Sequence, residues 1–166
     1  MSNIQRITMD FLDVEDRMRF SGLLENGSIV VFSVTRRLLL RLLPHLFQWL
    51  EQSEHADLPN DLYQDLAQRA ATENPEEQEA VRTSGPTLPS LVELINVTQH
   101  DDLLSLQFQM ADGNTVTLPM QADNLRQWLQ ALYSLWNLAD WGNGLWPEWI
   151  QDLQKERSVP SMNLLH

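Results

Sequence analysis

Residues 18–35 read MRFSGLLENGSIVVFSVT, and residues 104–121 read LSLQFQMADGNTVTLPMQ. These two stretches decide the fold class, because each carries the same three signals in the same order. Apolar side chains first recur at every second position: Met18, Phe20 and Leu24 around Gly22 in one, and Leu104, Leu106, Phe108 and Met110 in the other. A period of two belongs to a half-buried strand. Asn26-Gly27 and Asp112-Gly113 follow. Such pairs tolerate positive φ, so they predict two-residue type I′ hairpins. A third strand then places Val30, Phe32 and Val34 on one face, matched by Val116, Leu118 and Met120.

The pattern extends in both directions. Upstream, Ile7, Met9 and Phe11 alternate, as do Ile95 and Val97, and polar turns at 13–16 and 99–102 lead into the quoted stretches. Downstream the period changes to 3.6. Leu39, Leu42, Leu43, Leu46, Phe47 and Leu50 form one helical stripe, echoed by Leu125, Trp128, Leu129, Leu132, Tyr133 and Trp136. Thr35 and Asp123 are the expected caps. Pro44 removes a backbone donor inside the first helix and predicts a bend or break there. A shift of 86 positions brings the two segments into register without a gap. The chain therefore reads as a tandem duplication of one β-β-β-α unit of about 45 residues, too few to be comfortably stable alone. The expected fold is α+β: pseudo-symmetric repeats sharing one core, with a helical connector between them.

This reading divides the chain into a first repeat (1–52), an acidic helical connector and linker (53–89), a second repeat (90–140), a Trp-rich segment (141–157) and a tail (158–166). In the connector, Leu58, Leu62, Tyr63 and Leu66 have helical spacing from about Asn60 to Ala71, and Asn74-Pro75-Glu76-Glu77 resembles a second helix start. Pro147 can open a short helix reaching about Glu156.

Composition narrows the function classes. Hydrophobic residues make up 43% of the 166, enough for a real core. Cysteine is absent, which excludes disulfides, thiolate metal sites and cysteine nucleophiles. The formal charge of -12 opposes nucleic acid, whose phosphates it repels. No apolar run has the length of a membrane span and no signal peptide is recognised, so a cytoplasmic location is expected.

Four groups of residues hold candidate chemistry. Asp13, Glu15 and Asp16, with His100, Asp101 and Asp102, occupy matching turns and contain the side chains of a metal or acid–base site. Their spacing is not that of a calcium loop, and solvated turns are the simpler account. Arg36 and Arg37 follow Thr35 at a helix start, where free N–H groups attract anions, so they form a possible anion-binding site. His45 lies in an apolar helix with no second ligand at i+3 or i+4 and is expected to be a partly buried structural histidine. Trp141, Trp146 and Trp149 sit in an irregular Gly-containing segment and form a possible interface, with core packing the equal alternative.

No phosphate loop, nucleophile elbow or zinc-protease pair occurs. The expected function is that of a non-enzymatic protein-interaction or scaffold module, with a protein partner or a homodimer. No catalytic, cofactor-binding or metal residue is assigned. The alternative is a small-molecule or anion-binding protein, possibly an enzyme, with a pocket between the repeats lined by Arg36, Arg37 and the loops at Asp16 and Asp102.

Overall fold

A computed structural model describes residues 2–52, 58–73 and 78–158. The protein is α+β, with six strands in a mixed sheet and four helices. In chain order the elements are β1 (Ser2–Leu12), β2 (Arg17–Leu24), β3 (Ile29–Thr35), α1 (Arg36–Glu51), α2 (Asn60–Glu73), β4 (Ser90–His100), β5 (Leu103–Met110), β6 (Thr115–Gln121), α3 (Ala122–Leu138) and α4 (Glu148–Ser158). Two compact units result. The first holds residues up to Leu43 and from Glu76 to Ala122; the second holds Pro44–Pro75 and the chain from Asp123.

The first unit is a closed barrel in the order β1-β2-β3-β4-β5-β6. Two antiparallel meanders build it, and two short parallel junctions close it. Arg17 pairs with Thr35 in one meander, Leu103 with Gln121 in the other. Both long first strands carry a register shift, between Ile4 and Arg6 and between Val92 and Leu94. The parallel junctions are Phe32–Ser90 with Ser33–Leu91, and Ser2–Val116 with Asn3–Thr117.

Alternation fills the interior as its period demands. Met18, Phe20, Phe32, Leu104, Leu106 and Phe108 are fully buried. The three phenylalanines meet ring against ring, with centroids 5.5 Å apart for Phe20–Phe32 and 4.8 Å for Phe32–Phe108. This barrel is filled with side chains, as expected for so few strands. Gly22 lies opposite Ile7 on the inner face. A Cβ at Gly22 would come within 3.2 Å of Ile4, so the missing side chain makes room for that isoleucine.

The Gly-containing turns differ in type from the expectation. Gly27 and Gly113 take positive φ, of 86° and 91°, whereas Asn26 and Asp112 do not. Leu24 N–H bonds Ser28 O, and Gly27 N–H bonds Leu24 O; Met110, Asn114 and Gly113 repeat both bonds. The result is a three-residue loop, a type I turn closed by a left-handed glycine. Asn26 Oδ1 and Asp112 Oδ1 accept from Ser28 N–H and Asn114 N–H, and this side-chain capping holds the longer loop.

The first helix begins where expected, since Leu38 N–H reaches Thr35 Oγ1. It runs from Arg36 to Glu51 without interruption at Pro44. Pro44 and His45 both face solvent, so water can serve the carbonyl that proline leaves without a donor. His45 is therefore exposed rather than partly buried. In α3 the helix starts at Ala122, which puts Asp123 inside the first turn instead of at the cap. The suggested helix start at Asn74–Glu77 lies outside the described residues.

Candidate functional site

In the second unit α3 supplies one apolar side, with Leu125, Trp128, Leu129, Leu132, Tyr133 and Trp136 buried. Its C-terminus explains the tryptophan segment. Asp140 takes φ 55°, Asp140 N–H bonds Asn137 O and Trp141 N–H bonds Trp136 O. This is a Schellman cap, with the apolar contact such a cap favours: Trp141 meets Trp136 edge-on at 4.9 Å. Trp136 Nε1–H donates to Gly142 O. Trp146 packs against Phe47, Tyr133 and Trp136 at 5.4, 5.0 and 5.5 Å. Trp149 lies edge-on to Phe47 and beneath the Arg126 guanidinium at 5.4 Å. Trp141, Trp146 and Trp149 are 5%, 3% and 6% exposed, so their rings are engaged in the unit's own core.

Helix α2 has the unexpected orientation. The residues it buries are Gln64, Gln68, Ala71 and Thr72. Leu58, Leu62 and Leu66 are 40%, 45% and 49% exposed. Spacing alone would put these leucines inward. The buried glutamines meet a buried cation, Arg126, which explains why they are inside. Arg126 Nη2 donates to Gln64 Oε1 at 2.6 Å, and Arg126 Nη1 lies 3.5 Å from Gln68 Oε1. Gln68 Nε2 donates to Arg126 O and Gln130 Oε1, both at 2.9 Å, and Gln64 Nε2 donates to Leu50 O at 2.8 Å. Burial pulls the Arg126 pKa below its ordinary value, with Tyr63 and Asp123 opposing the shift. Neutral amides and one indole face surround the cation, a set that binds it without a salt bridge.

The outer end of α2 is tied to α4. Arg69 bridges Asp65 within α2 and both carboxylate oxygens of Glu156 on α4, at 2.6 and 2.8 Å. Arg157 Nη2 donates to Thr72 Oγ1 at 2.8 Å. The exposed leucine face is thus held by a rigid polar seam on its reverse side. Sequence places an aspartate before each exposed leucine: Asp57-Leu58, Asp61-Leu62 and Asp65-Leu66. Steps of four residues put Leu62 and Leu66 in one row of the helix and Asp61 and Asp65 in the adjacent row.

The other candidates stand apart from this surface. Arg36 and Arg37 are exposed at the start of α1. The turns at 13–16 and 101–102 are exposed, Asp16 and Asp101 take left-handed φ, and His100 Nε2 lies 3.6 Å from Asp101. Among the described residues no cluster of three or more His, Asp or Glu is arranged to hold a metal ion. Two grooves of about 400 Å³ and 390 Å³ follow the connector at Ala80–Arg82, where Val81 N–H bonds Thr8 Oγ1. Arg19 and Asp10 pair in the first groove. Arg6, Glu79 and Arg82 line the second, and Arg6 Nε is buried there without a hydrogen-bond partner. Among the described residues no helix is long and apolar enough to cross a membrane.

Comparison with protein-family models, curated proteins and solved structures returns no match.

The leucine face was visible in sequence only as a helical stripe. The missed signal was its underside, where Gln64, Gln68 and Thr72 recur at steps of four.

Proposed function

We propose that this protein is a non-enzymatic interaction module whose docking surface is the leucine face of α2. The observation that carries the reading is the inverted helix. An isolated exposed leucine needs no explanation, but three in one row over a fully buried polar underside do. The Arg126 network fixes the helix orientation, so rotating the leucines inward would strand a buried guanidinium and two glutamines. Interaction surfaces commonly join an apolar centre to a polar rim, and Asp61, Asp65 and Glu73 supply that rim.

The same proposal treats the β-β-β-α stretches as copies of one ancestral unit. The paired registers Arg17–Thr35 and Leu103–Gln121 support it, as do the identical turn bonds. The four-residue turn at 13–16 faces a two-residue turn at 101–102, so the offset is 88 for β1 and β4 and 86 thereafter. A cytoplasmic location and a protein partner, or a second copy of the chain, belong to this reading.

The test is native mass spectrometry and sedimentation of the untagged protein, compared with Leu62→Ser/Leu66→Ser. Both leucines are half exposed, so circular dichroism of the variant should match the wild type. Assemblies formed by the wild type should disappear. Retention of every assembly by the variant would falsify the assignment.

A second reading has its own observation. The buried, unpartnered Arg6 Nε beside Arg82 favours anion binding in that groove over Arg36 and Arg37. Thermal stabilisation by phosphate, lost in Arg6→Gln, would support it.

A further inference from the structure

We infer that the occupant of the α2 face is a cationic amphipathic helix of a partner protein, an assignment that rests on the docking reading above. The argument is charge complementarity along one helix. The row Leu58, Leu62, Leu66 is exposed, and the neighbouring row Asp57, Asp61, Asp65 places a carboxylate beside each leucine. Ala70 continues the leucine row as an exposed small residue, so a partner helix can approach closely beyond Leu66. Between Asp57 and Gln68 no Lys or Arg occurs. Arg69, the first cation beyond it, is bonded to Asp65 and Glu156. Together α2 and α4 carry six carboxylates against three cations.

A helix that lays leucines or similar side chains into this face at steps of three and four, with Lys or Arg alongside, satisfies both rows at once. A second copy does not. It brings the same aspartate row and the same charge of -12, so self-docking sets like charge against like. Anionic membranes and nucleic acid meet the same repulsion.

The probes are synthetic helices that share one leucine face and differ only in flanking residue: lysine, glutamine or glutamate. Binding to the full chain is read by fluorescence anisotropy at low and moderate salt, with sedimentation reporting self-association. The lysine helix should bind, and salt should weaken it. Leu62→Asp/Leu66→Asp should lower its affinity by about tenfold or more, the scale of losing two interface anchors. That variant is more acidic than the wild type, so tighter binding to it would show attraction by charge alone and overturn the inference. Asp57→Asn/Asp61→Asn keeps the leucines and should weaken the lysine helix while leaving the glutamine helix unchanged. Equal binding of all three helices, lost on leucine substitution, would overturn the cationic class and leave the docking face standing. A wild-type dimer abolished by the leucine substitutions, with no helix bound, would instead make a second copy the occupant. Absence of both helix binding and self-association would overturn the face itself.

Discussion

Gly22 and Asp140 show how single positions set local geometry. Gly22 leaves the space that Ile4 occupies, and Ile4 is itself buried. Gly22→Val would force three atoms of Ile4 to move in a packed wall, with a cost of about 1–3 kcal/mol. Ile4→Ala frees that space, so a double-mutant cycle by urea denaturation should show coupling between the two sites. Additive effects would mean that Ile4 is not what the added methyls meet. Asp140 presents the reverse case. It holds a left-handed cap position, with φ 55°, that glycine occupies at no steric cost. Asp140→Gly should therefore stabilise by about 0.5–1 kcal/mol, and Asp140→Ala should give no such gain. An unchanged melting temperature for the glycine variant would show that the Asp side chain compensates the strain.

At the scale of elements, strands were more legible in sequence than the helix that matters most. Alternation located β2, β3, β5 and β6 because burial on one face leaves a period that side-chain type alone reveals. The turns were located but mistyped, since Asn-Gly and Asp-Gly fit both a two-residue loop and a three-residue loop closed by glycine. The stripe on α2 gave the right helix and the wrong face. A helical period says which residues share a face, and only a partner decides whether that face is buried. Here the partner is Arg126, from 62 residues away, and its affinity for Gln64 has no sequence signature. The network is accordingly the element to break. Arg126→Ala would leave Gln64 Oε1 buried without its donor and remove the cation over Trp149, at a cost of about 2–4 kcal/mol. Chemical denaturation measures the loss, and amide exchange in α2 should rise with it. Arg126→Met fills much of the same volume without a charge to desolvate, so it should cost less than the alanine variant.

The tie between α2 and α4 also titrates. Hydrogen bonds from Arg69 hold the Glu156 carboxyl below its ordinary value of 4.5. A depressed folded pKa means that the contribution is complete above the unfolded value and is lost as pH falls through the folded one. Wild type and Glu156→Gln should therefore differ most near neutral pH and converge in acid. Because Glu156 is solvent-exposed, the difference is expected to be small. A gap that stays constant from neutral to acidic pH would remove the carboxylate from the account.

For the whole molecule, charge is the property that sequence states completely. With 23 acidic and 11 basic side chains, twelve carboxylates have no Lys or Arg to pair with in any geometry. Their mutual repulsion opposes the folded state and is screened over about 8–10 Å at moderate salt. Salt also weakens the bridges of Arg19 with Asp10 and of Arg69 with Glu156, but these are exposed pairs of small individual worth. The excess acids outweigh them. Raising sodium chloride from low to physiological strength should raise the melting temperature by about 2–6 °C, the shift that roughly 1 kcal/mol makes in a chain of this size. The same salt should weaken the lysine-flanked helix on the α2 face. Opposite responses of stability and binding to one variable would tie both to the same surplus of carboxylates. A melting temperature that falls with salt would instead show that the exposed ion pairs dominate, and would remove net repulsion as the reason this chain does not dock on itself.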